Sequence, residues 1–284
     1  MKKLLVTGCN GQLGREINRF YAGNTQLEFV NTDVQQLDIT NIDEVMALAR
    51  QVQPYAILNC AAYTAVDACE TNQDLAFRVN TLGARNLAIA AQETGAKLVH
   101  ISTDYVFDGT KKGAYVETDP TAPRSVYGST KEAAEKMVKE LCSRHFILRT
   151  AWLYGEGKNF AKTMLRLAET SDRVRVVCDQ VGNPTSAWEL AGGIDSLLFS
   201  ENYGLFHATC EGECCWADFA KEVFRLAGKQ MTVEEVTTQQ YLADYPQQAL
   251  RPANSSLDNY MFRMSNGYRF AHWQDAIARY METL

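Results

Sequence analysis

The chain has 284 residues, of which 46% are hydrophobic and 22% are charged. Such a chain is long enough for one large domain, or a large and a small one, with a substantial core. Its formal net charge is −6, so it has no general attraction for a phosphate backbone and nucleic acid is not an expected partner. No apolar run is long enough to cross a bilayer, and the short N-terminal run leads directly into glycines. We therefore expect a cytoplasmic protein with no membrane contact.

The first half of the chain alternates short apolar strands with helices. Strands are predicted at 3–7, 27–31, 55–60, 97–101 and 146–149, and helices at about 15–21, 42–52, 74–94 and 125–141. This alternation implies crossover connections between parallel strands, and the strands are apolar on both faces, as in a sheet covered by helices. The predicted fold class is therefore α/β, a doubly wound parallel sheet of the Rossmann type.

The alternation loosens after about residue 155. Helices are predicted at 161–169, 187–199, 216–226 and 273–281, and short strands at 174–178 and 205–208. We expect a dinucleotide-binding Rossmann domain over 1–155. Residues 156–284 should form mainly a smaller C-terminal α/β lobe that binds substrate, with some return of the chain to the Rossmann sheet.

Three glycines with a regular spacing follow the first strand. Gly8, Gly11 and Gly14 lie between that strand and the first helix, where they permit a tight turn and let a pyrophosphate approach the N–H groups of the helix. Dinucleotide binding is the prediction. The candidate residues in this turn are Gly8, Asn10, Gly11, Gln12 and Leu13.

Further cofactor contacts are expected after the second and third strands. Asp33 lies where an acid can bind the adenosine ribose, which favours NAD over NADP, but it is equally interpretable as a turn residue, so the preference stays open. Asp38 and Ile39 are candidates for contact with the adenine. A stretch at the end of the third strand can line the cofactor, namely Cys60, Ala61, Ala62 and Tyr63.

A tyrosine and a lysine four residues apart are the candidate catalytic pair. Tyr127 and Lys131 share one face of a predicted helix. A phenol is a poor acid or base at neutral pH, and a nearby ammonium lowers its pKa, so that Tyr127 can donate a proton to a carbonyl oxygen. Alone, this spacing is common on solvated helices; the preceding glycines favour catalysis. Ser102 and Thr103, 24 to 25 residues earlier, are both candidates for the hydroxyl that binds the substrate carbonyl.

The eight cysteines have irregular spacing, and reduced thiols are expected. Cys210, Cys214 and Cys215, with His207 nearby, could suggest a metal site. They lack paired CxxC spacing, so we interpret them as structural and expect no metal there.

These motifs together resemble the extended short-chain dehydrogenase/reductase family. Within it, segments 8–14, 59–67, 102–109, 127–131, 149–155, 180–185 and 251–257 resemble the dTDP-4-dehydrorhamnose reductases, almost from end to end. The resemblance implies reduction of the 4-keto group of a dTDP-linked 6-deoxy-L-sugar to dTDP-L-rhamnose for cell-surface polysaccharide, with NADPH or NADH. It also implies that Thr103 polarises the ketone, that Tyr127 is the general acid, and that Lys131 holds ribose and tunes Tyr127.

The same resemblance implies a set of substrate contacts. Positions around the sugar and at its nucleotide end are Val66, Asp104, Tyr105, Trp152, Asn159, Arg251 and the segment 182–185. Trp152 would press its indole on the apolar face of the sugar. Some family members hold Mg²⁺ at a dimer contact, where Glu16 and Glu189 could correspond; we favour two solvated helix carboxylates and expect no metal. The expected assembly is a monomer or a homodimer.

Two other kinds of function stay open. Related nucleotide-sugar dehydratases carry Thr-Asp-Glu after the fourth strand, whereas this chain has Tyr105 in place of the glutamate, which favours plain reduction; an epimerase is harder to exclude. The regulatory subunit of methionine adenosyltransferase resembles the same family, so a non-catalytic nucleotide-binding subunit is the alternative from another class.

Overall fold

The computed structural model describes residues 1–284 and is built on a six-stranded sheet in which every neighbouring pair is parallel. The strand order is β2-β1-β3-β4-β5-β10. In chain order the strands are β1 Lys2–Thr7, β2 Leu27–Thr32, β3 Ala56–Asn59, β4 Lys97–Thr103, β5 His145–Thr150, β6 Leu153–Tyr154, β7 Arg173–Val177, β8 Val181–Gly182, β9 Thr185–Ser186, β10 Gly204–His207, β11 Cys214–Cys215 and β12 Thr232–Val236.

Helices cover both faces of this sheet. One face packs against α1 and α8, and the other packs against α2, α5 and α6. The helices are α1 Gln12–Phe20, α2 Ile42–Val52, α3 Val66–Thr71, α4 Gln73–Phe77, α5 Gly83–Thr94, α6 Val126–Leu141, α7 Phe160–Leu167, α8 Ala187–Leu198, α9 Trp216–Leu226, α10 Thr238–Asp244, α11 Tyr260–Ser265 and α12 Trp273–Met281. The predicted doubly wound fold is confirmed.

The helix predicted over 74–94 is interrupted. A π-helical turn at Arg78–Leu82 joins α4 to α5. In this turn, Asn80 Oδ1 accepts a hydrogen bond from the N–H of Tyr63, and Asn80 Nδ2 donates one to the carbonyl oxygen of Tyr63. Eight further short elements were not predicted, namely α3, α10, α11, β6, β8, β9, β11 and β12. None exceeds seven residues, and periodicity is weak over such lengths.

The C-terminal part of the chain contributes to two bodies of structure. α8 packs against one face of the six-stranded sheet, and β10 pairs with β5 at its edge. The ribbon of β7 and β12 packs with α7, α9 and α12 around a separate apolar cluster. A domain boundary near residue 155 stays a prediction.

The topology determines where a ligand can sit. The chain leaves β1 for β2 on one side and reaches β3 on the other, so the order reverses between β1 and β3. A crevice opens at such a reversal, outside the carboxyl ends of the strands. Thr7, Asn59 and Thr103 end three adjacent strands at this edge. None of the helices is both long and apolar enough to span a membrane.

Candidate active site

A cavity of about 430 Å³ opens at this edge of the sheet. It collects residues from the first, third, fourth and fifth strand ends and from the C-terminal part of the chain. Its walls are formed by Gly11, Gln12, Leu13, Asn59, Cys60, Ala61, Ala62, Thr64, Val66, Ile101, Ser102, Thr103, Asp104, Tyr105, Tyr127, Lys131, Thr150, Trp152, Leu153, Trp216 and Arg251. The predicted catalytic residues and most of the predicted contacts therefore surround one space.

The glycine turn is packed too tightly for side chains. Gly8 has φ +66°, and a Cβ there would lie 2.7 Å from the backbone nitrogen of Ala61. A Cβ at Gly14 would lie 2.4 Å from the carbonyl oxygen of Gly8. The turn thus lies directly against the end of β3, and Gly11 caps α1 without a side-chain hydrogen bond. This leaves the first N–H groups of α1 facing the cavity, which suits a pyrophosphate.

Helix α6 brings Tyr127 to the end of β4. The Ser125 hydroxyl accepts a hydrogen bond from the Gly128 N–H and begins the helix. A Cβ at Gly128 would lie only 2.2 Å from the carbonyl oxygen of Tyr105, so glycine allows the helix to approach the turn after β4. The phenol of Tyr127 and the Thr103 side chain line the same cavity, and the Tyr127 ring meets that of Tyr105 edge to face at 5.5 Å.

The pKa of Tyr127 is raised, not lowered. Burial is the main cause, and the negative charge of Asp104 adds to it, while the neighbouring Thr103 side chain acts in the opposite direction. Lys131 Nζ donates to the carbonyl oxygen of Ile101 at 2.6 Å, and burial lowers the pKa of Lys131 to about 8. Burial thus outweighs any lowering by Lys131 in this structure, and the expectation that Lys131 lowers the pKa of Tyr127 stays a prediction. Tyr127 therefore holds its proton at neutral pH in this structure, and proton transfer to a ketone would be most efficient once its pKa falls towards the working pH.

The structure distinguishes the two candidate hydroxyls. Ser102 donates to Glu135 at 2.6 Å, and Glu135 in turn holds both Nε and Nη2 of Arg149 at 2.8 and 2.7 Å. All three side chains are buried. Ser102 is thus part of an ion-pair clamp that joins β4, α6 and β5 beneath the cavity, and Thr103 is left as the hydroxyl beside Tyr127.

Thr103 itself is already engaged. Its hydroxyl donates to Asp104 Oδ1 at 2.9 Å and accepts from the N–H of Tyr105 at 3.3 Å. The other carboxylate oxygen of Asp104 is buried without a hydrogen-bond partner, and burial raises the pKa of Asp104 to about 6. While Thr103 donates to Asp104 it has no second proton for a ketone, which leaves proton delivery to Tyr127.

Comparison with known proteins identifies the family at this point. The model of the RmlD substrate binding domain family matches residues 1–284. The chain belongs to this family. A dTDP-4-dehydrorhamnose reductase from Aggregatibacter actinomycetemcomitans is 41% identical over 98% of this chain and 97% of its own.

Solved structures of the family superpose closely on this chain. A dTDP-4-dehydrorhamnose reductase from Clostridium acetobutylicum matches with TM-score 0.96 and 47% identity over 99% of both chains. One from Bacillus anthracis, solved in complex with NADP, matches with TM-score 0.96 and 39% identity over the whole of both chains.

Six other predicted cofactor residues lie outside the walls of this cavity. The carboxylate of Asp33 accepts the N–H groups of Asn10 at 3.1 Å and Val34 at 2.8 Å, so it holds the glycine turn to the end of β2. Asp38 accepts the N–H of Thr40. The residues concerned are Gly8, Asn10, Asp33, Asp38, Ile39 and Tyr63.

Asn159 lies outside the cavity, and its polar atoms are occupied. It caps α7 by accepting the N–H of Lys162, and its amide donates to the carbonyl oxygen of Gly155 and to the hydroxyl of Tyr280. The predicted contact between Asn159 and substrate has no support in this geometry, because the side chain is committed to a helix start.

Trp152 and Trp216 line the cavity as a stacked pair. Their ring centroids are 3.5 Å apart and the planes are nearly parallel, while Trp152 has φ +48°, a costly conformation for a bulky residue. A Cβ at Gly182 would lie 2.6 Å from Trp152 Cε2, so Gly182 permits this placement. Sequence reasoning missed Trp216 and Thr150, whose hydroxyl is buried without a partner.

A second cavity of about 260 Å³ shares Trp216 and Arg251 with the first. Arg251 Nε is buried without a hydrogen-bond partner, while Nη2 lies 3.6 Å from Asp67. The remaining walls are Phe160, Met164, Arg175, Val176, Val177, Gln180, Thr238, Tyr241, Leu242, Gln248 and Ala249. Arg251 is therefore placed between the two spaces.

Glu16 and Glu189 are buried, and the expectation of two solvated carboxylates is wrong. Both line a third cavity between α1, α8 and α12. Arg19 lies 3.5 Å from Glu16 and Arg279 lies 2.9 Å from Glu189. No three His, Cys, Asp or Glu side chains come together in a way that could hold a metal ion, and all eight cysteines are unpaired.

Proposed function

We propose that this chain, an NAD(P)H-dependent oxidoreductase, reduces the 4-keto group of dTDP-4-dehydro-L-rhamnose to dTDP-L-rhamnose, with Tyr127 as the general acid. The observation that carries the proposal is that the half-buried Tyr127 lines one cavity together with Thr103, Lys131 and the glycine turn. The relatives from Aggregatibacter actinomycetemcomitans and Clostridium acetobutylicum are dTDP-4-dehydrorhamnose reductases.

The cofactor would lie along the edge from the glycine turn to Tyr127. Gln12 Oε1 is buried and lacks a hydrogen-bond partner, which fits a polar ligand. The close packing at Gly8 and Gly14 holds the turn where the N–H groups of α1 can meet a pyrophosphate. A bound nicotinamide supplies the hydride for the ketone carbon. Asp33 disfavours a 2′-phosphate by charge, yet the Bacillus anthracis relative binds NADP, so we propose that either NADPH or NADH serves.

The protein's own residues handle the proton. Tyr127 keeps its proton because burial raises its pKa, and it gives that proton to the ketone oxygen as the carbon is reduced. Thr103 orients the phenol. Lys131 is placed one helical turn further on, where its N–H groups can bind the ribose beside the nicotinamide.

The substrate would span both cavities. The sugar lies between Val66, Tyr105 and Trp152, and Arg251 offers its unpartnered Nε to the diphosphate. The second cavity combines apolar walls with the amides of Gln180 and Gln248, which suits a pyrimidine base. No carboxylate stands at position 105, and the raised pKa of Tyr105 keeps its phenol protonated and unavailable as a base, so plain reduction is favoured over elimination.

The test follows NADPH and NADH absorbance with dTDP-4-dehydro-L-rhamnose generated in situ. Wild type should turn over, and Tyr127→Phe should lose turnover roughly 10²–10⁴-fold while still binding cofactor. Tyr260→Phe removes the same hydroxyl from an exposed ring and should behave as wild type. Wild type that binds nucleotide tightly without turnover would refute the proposal and favour another sugar, an epimerase or a regulatory subunit. The cytoplasmic location and the monomer or homodimer state stay predictions.

A further inference from the structure

A histidine lies directly beneath Lys131. His100, in β4, is 1% exposed and has a neighbour at each ring nitrogen. Nδ1 is 3.0 Å from Asn59 Nδ2, and Nε2 is 3.4 Å from Lys131 Nζ. The ring therefore connects the end of β3 to the lysine of the proposed catalytic pair.

The orientation of the Asn59 amide is determined by its other neighbours. Asn59 Oδ1 accepts the backbone N–H of Ala61 at 3.2 Å and the hydroxyl of Thr7 at 2.9 Å. A backbone N–H can only donate, so the atom facing it must be the amide oxygen. The NH₂ group of Asn59 then faces His100 and donates to Nδ1.

This arrangement selects one tautomer of the imidazole. Since Nδ1 accepts from Asn59, the proton of a neutral ring must be on Nε2. The ring is neutral because burial, and next the charge of Lys131, hold the pKa of His100 well below its ordinary value. The Nε2–H group consequently points towards Lys131 Nζ.

An ammonium group has three donors and no acceptor. One N–H of Lys131 is taken by the Ile101 carbonyl oxygen at 2.6 Å. His100 cannot accept a second, because its facing nitrogen already carries a proton. The two remaining N–H bonds must therefore turn away from the sheet, towards the cavity and Tyr127.

We propose that His100 is a positioning residue, locked as the Nε2–H tautomer by Asn59, which directs the free N–H bonds of Lys131 into the active-site cavity. The proposal rests on the proposed role of Lys131. The Nε2–H of His100 and the ammonium of Lys131 are both hydrogen-bond donors, so they cannot bond to each other. The N–H bonds of Lys131 that are not used by Ile101 are therefore directed away from the histidine. His100 itself exchanges no proton with the substrate.

Other charged and titratable groups act on the same pair. Glu135, one turn along α6, favours the charged form of Lys131, and it is itself paired with Arg149 from β5. On the turn after β4, Asp104 and Tyr105 act on Tyr127. On β4, His100 is the imidazole that contacts Lys131. Substitution of His100 therefore tests the effect of this ring on Lys131 without changing Glu135, Asp104 or Tyr105.

The tautomer can be observed directly in the wild-type protein by ¹⁵N NMR of labelled histidine. The chain has four histidines, and the His100→Leu spectrum assigns the resonance. We expect a neutral Nε2–H ring that does not titrate between pH 5.5 and 9. A Nδ1–H ring, or one that titrates with an ordinary histidine pKa, would overturn the proposal. This measurement needs neither substrate nor turnover, so its failure is distinguishable from failure of the Tyr127→Phe test.

Asn59→Asp tests the consequence for Lys131. An aspartate accepts from Nδ1–H, so the ring should reverse its tautomer and offer the Nε2 lone pair to Lys131. The pKa of Lys131 should then rise, and the alkaline limb of the turnover and NADPH-binding profiles should move to higher pH by about one unit.

The control separates the tautomer from the added charge. In Asn59→Asp combined with His100→Leu, compared with His100→Leu alone, the shift should vanish. A shift of the same size without the ring would assign the effect to the aspartate charge and overturn the role of His100. An unmoved limb in Asn59→Asp would overturn it as well. His272→Asn, at an exposed histidine, should leave the profile unchanged.

Discussion

The difference in free energy of unfolding between Asp104→Asn and wild type should favour the variant more at neutral pH than at acidic pH. Burial raises the pKa of Asp104 from 3.8 to about 6, so the folded state holds this proton more tightly than the unfolded state. The stability that the proton contributes is full below about pH 4 and is lost as the pH rises to about 6. At about 1.4 kcal/mol per unit, roughly 2 kcal/mol disappears between pH 4.5 and pH 7.5.

The asparagine carries no such loss. Its Oδ1 can still accept from Thr103, and its NH₂ group replaces the carboxylate oxygen that has no partner. The free energy of unfolding, measured in urea at pH 4.5, 6 and 7.5, should therefore move in favour of the variant by about 2 kcal/mol across this range.

An opposite-sign control is available on the surface. Hydrogen bonds from Thr110 lower the pKa of Asp108. The ionised carboxylate therefore stabilises the folded state at neutral pH, and this stabilisation is lost in acid. The free energy of unfolding of Asp108→Asn should fall relative to wild type as the pH rises. A difference between Asp104→Asn and wild type that does not change with pH would refute the reasoning, because burial of the charge could not then dominate at Asp104.

Three further predictions concern the clamp, the cofactor and the turn. Glu135→Gln should cost roughly 3–5 kcal/mol in urea unfolding, since it leaves the Arg149 guanidinium buried without its partner; a cost under 1 kcal/mol would contradict a buried ion pair. Asp33→Asn should raise the ratio of kcat/KM for NADPH over NADH by roughly tenfold, about 1.4 kcal/mol, whereas equal losses with both cofactors would show that Asp33 acts only by holding the turn. Gly8→Ala should abolish cofactor binding in a fluorescence titration, because its Cβ would meet the backbone of Ala61; unchanged affinity would contradict the tight turn.

Much of the site could be predicted because its signals are local. The spacing of Gly8, Gly11 and Gly14 between a strand and a helix depends on backbone geometry within one turn. Tyr127 and Lys131 share a face because the helix repeats every 3.6 residues. The strand alternation indicated the parallel sheet, and the sheet's edge then brought these residues together.

The predictions that the geometry does not support, and the residues that were missed, concern partners that are distant in sequence. Asn159 has the residue type of a ligand contact, yet Tyr280, 121 positions away, receives its amide. Trp216 lies in the loosely patterned C-terminal part and reaches Trp152 only through the fold. Neither pairing leaves a trace in local periodicity.

The sequence by itself determined the sheet, the glycine turn and the helical pair, since each follows from backbone conformation and side-chain spacing over a few residues. The tertiary structure alone decided the protonation and the orientation of the groups. Ser102 donates to Glu135, while Thr103 lines the cavity with Tyr127. Burial raises the pKa of Tyr127 where spacing suggested a fall. The reason is physical: a pKa depends on desolvation and on charges brought close by folding, and these are properties of the packed interior.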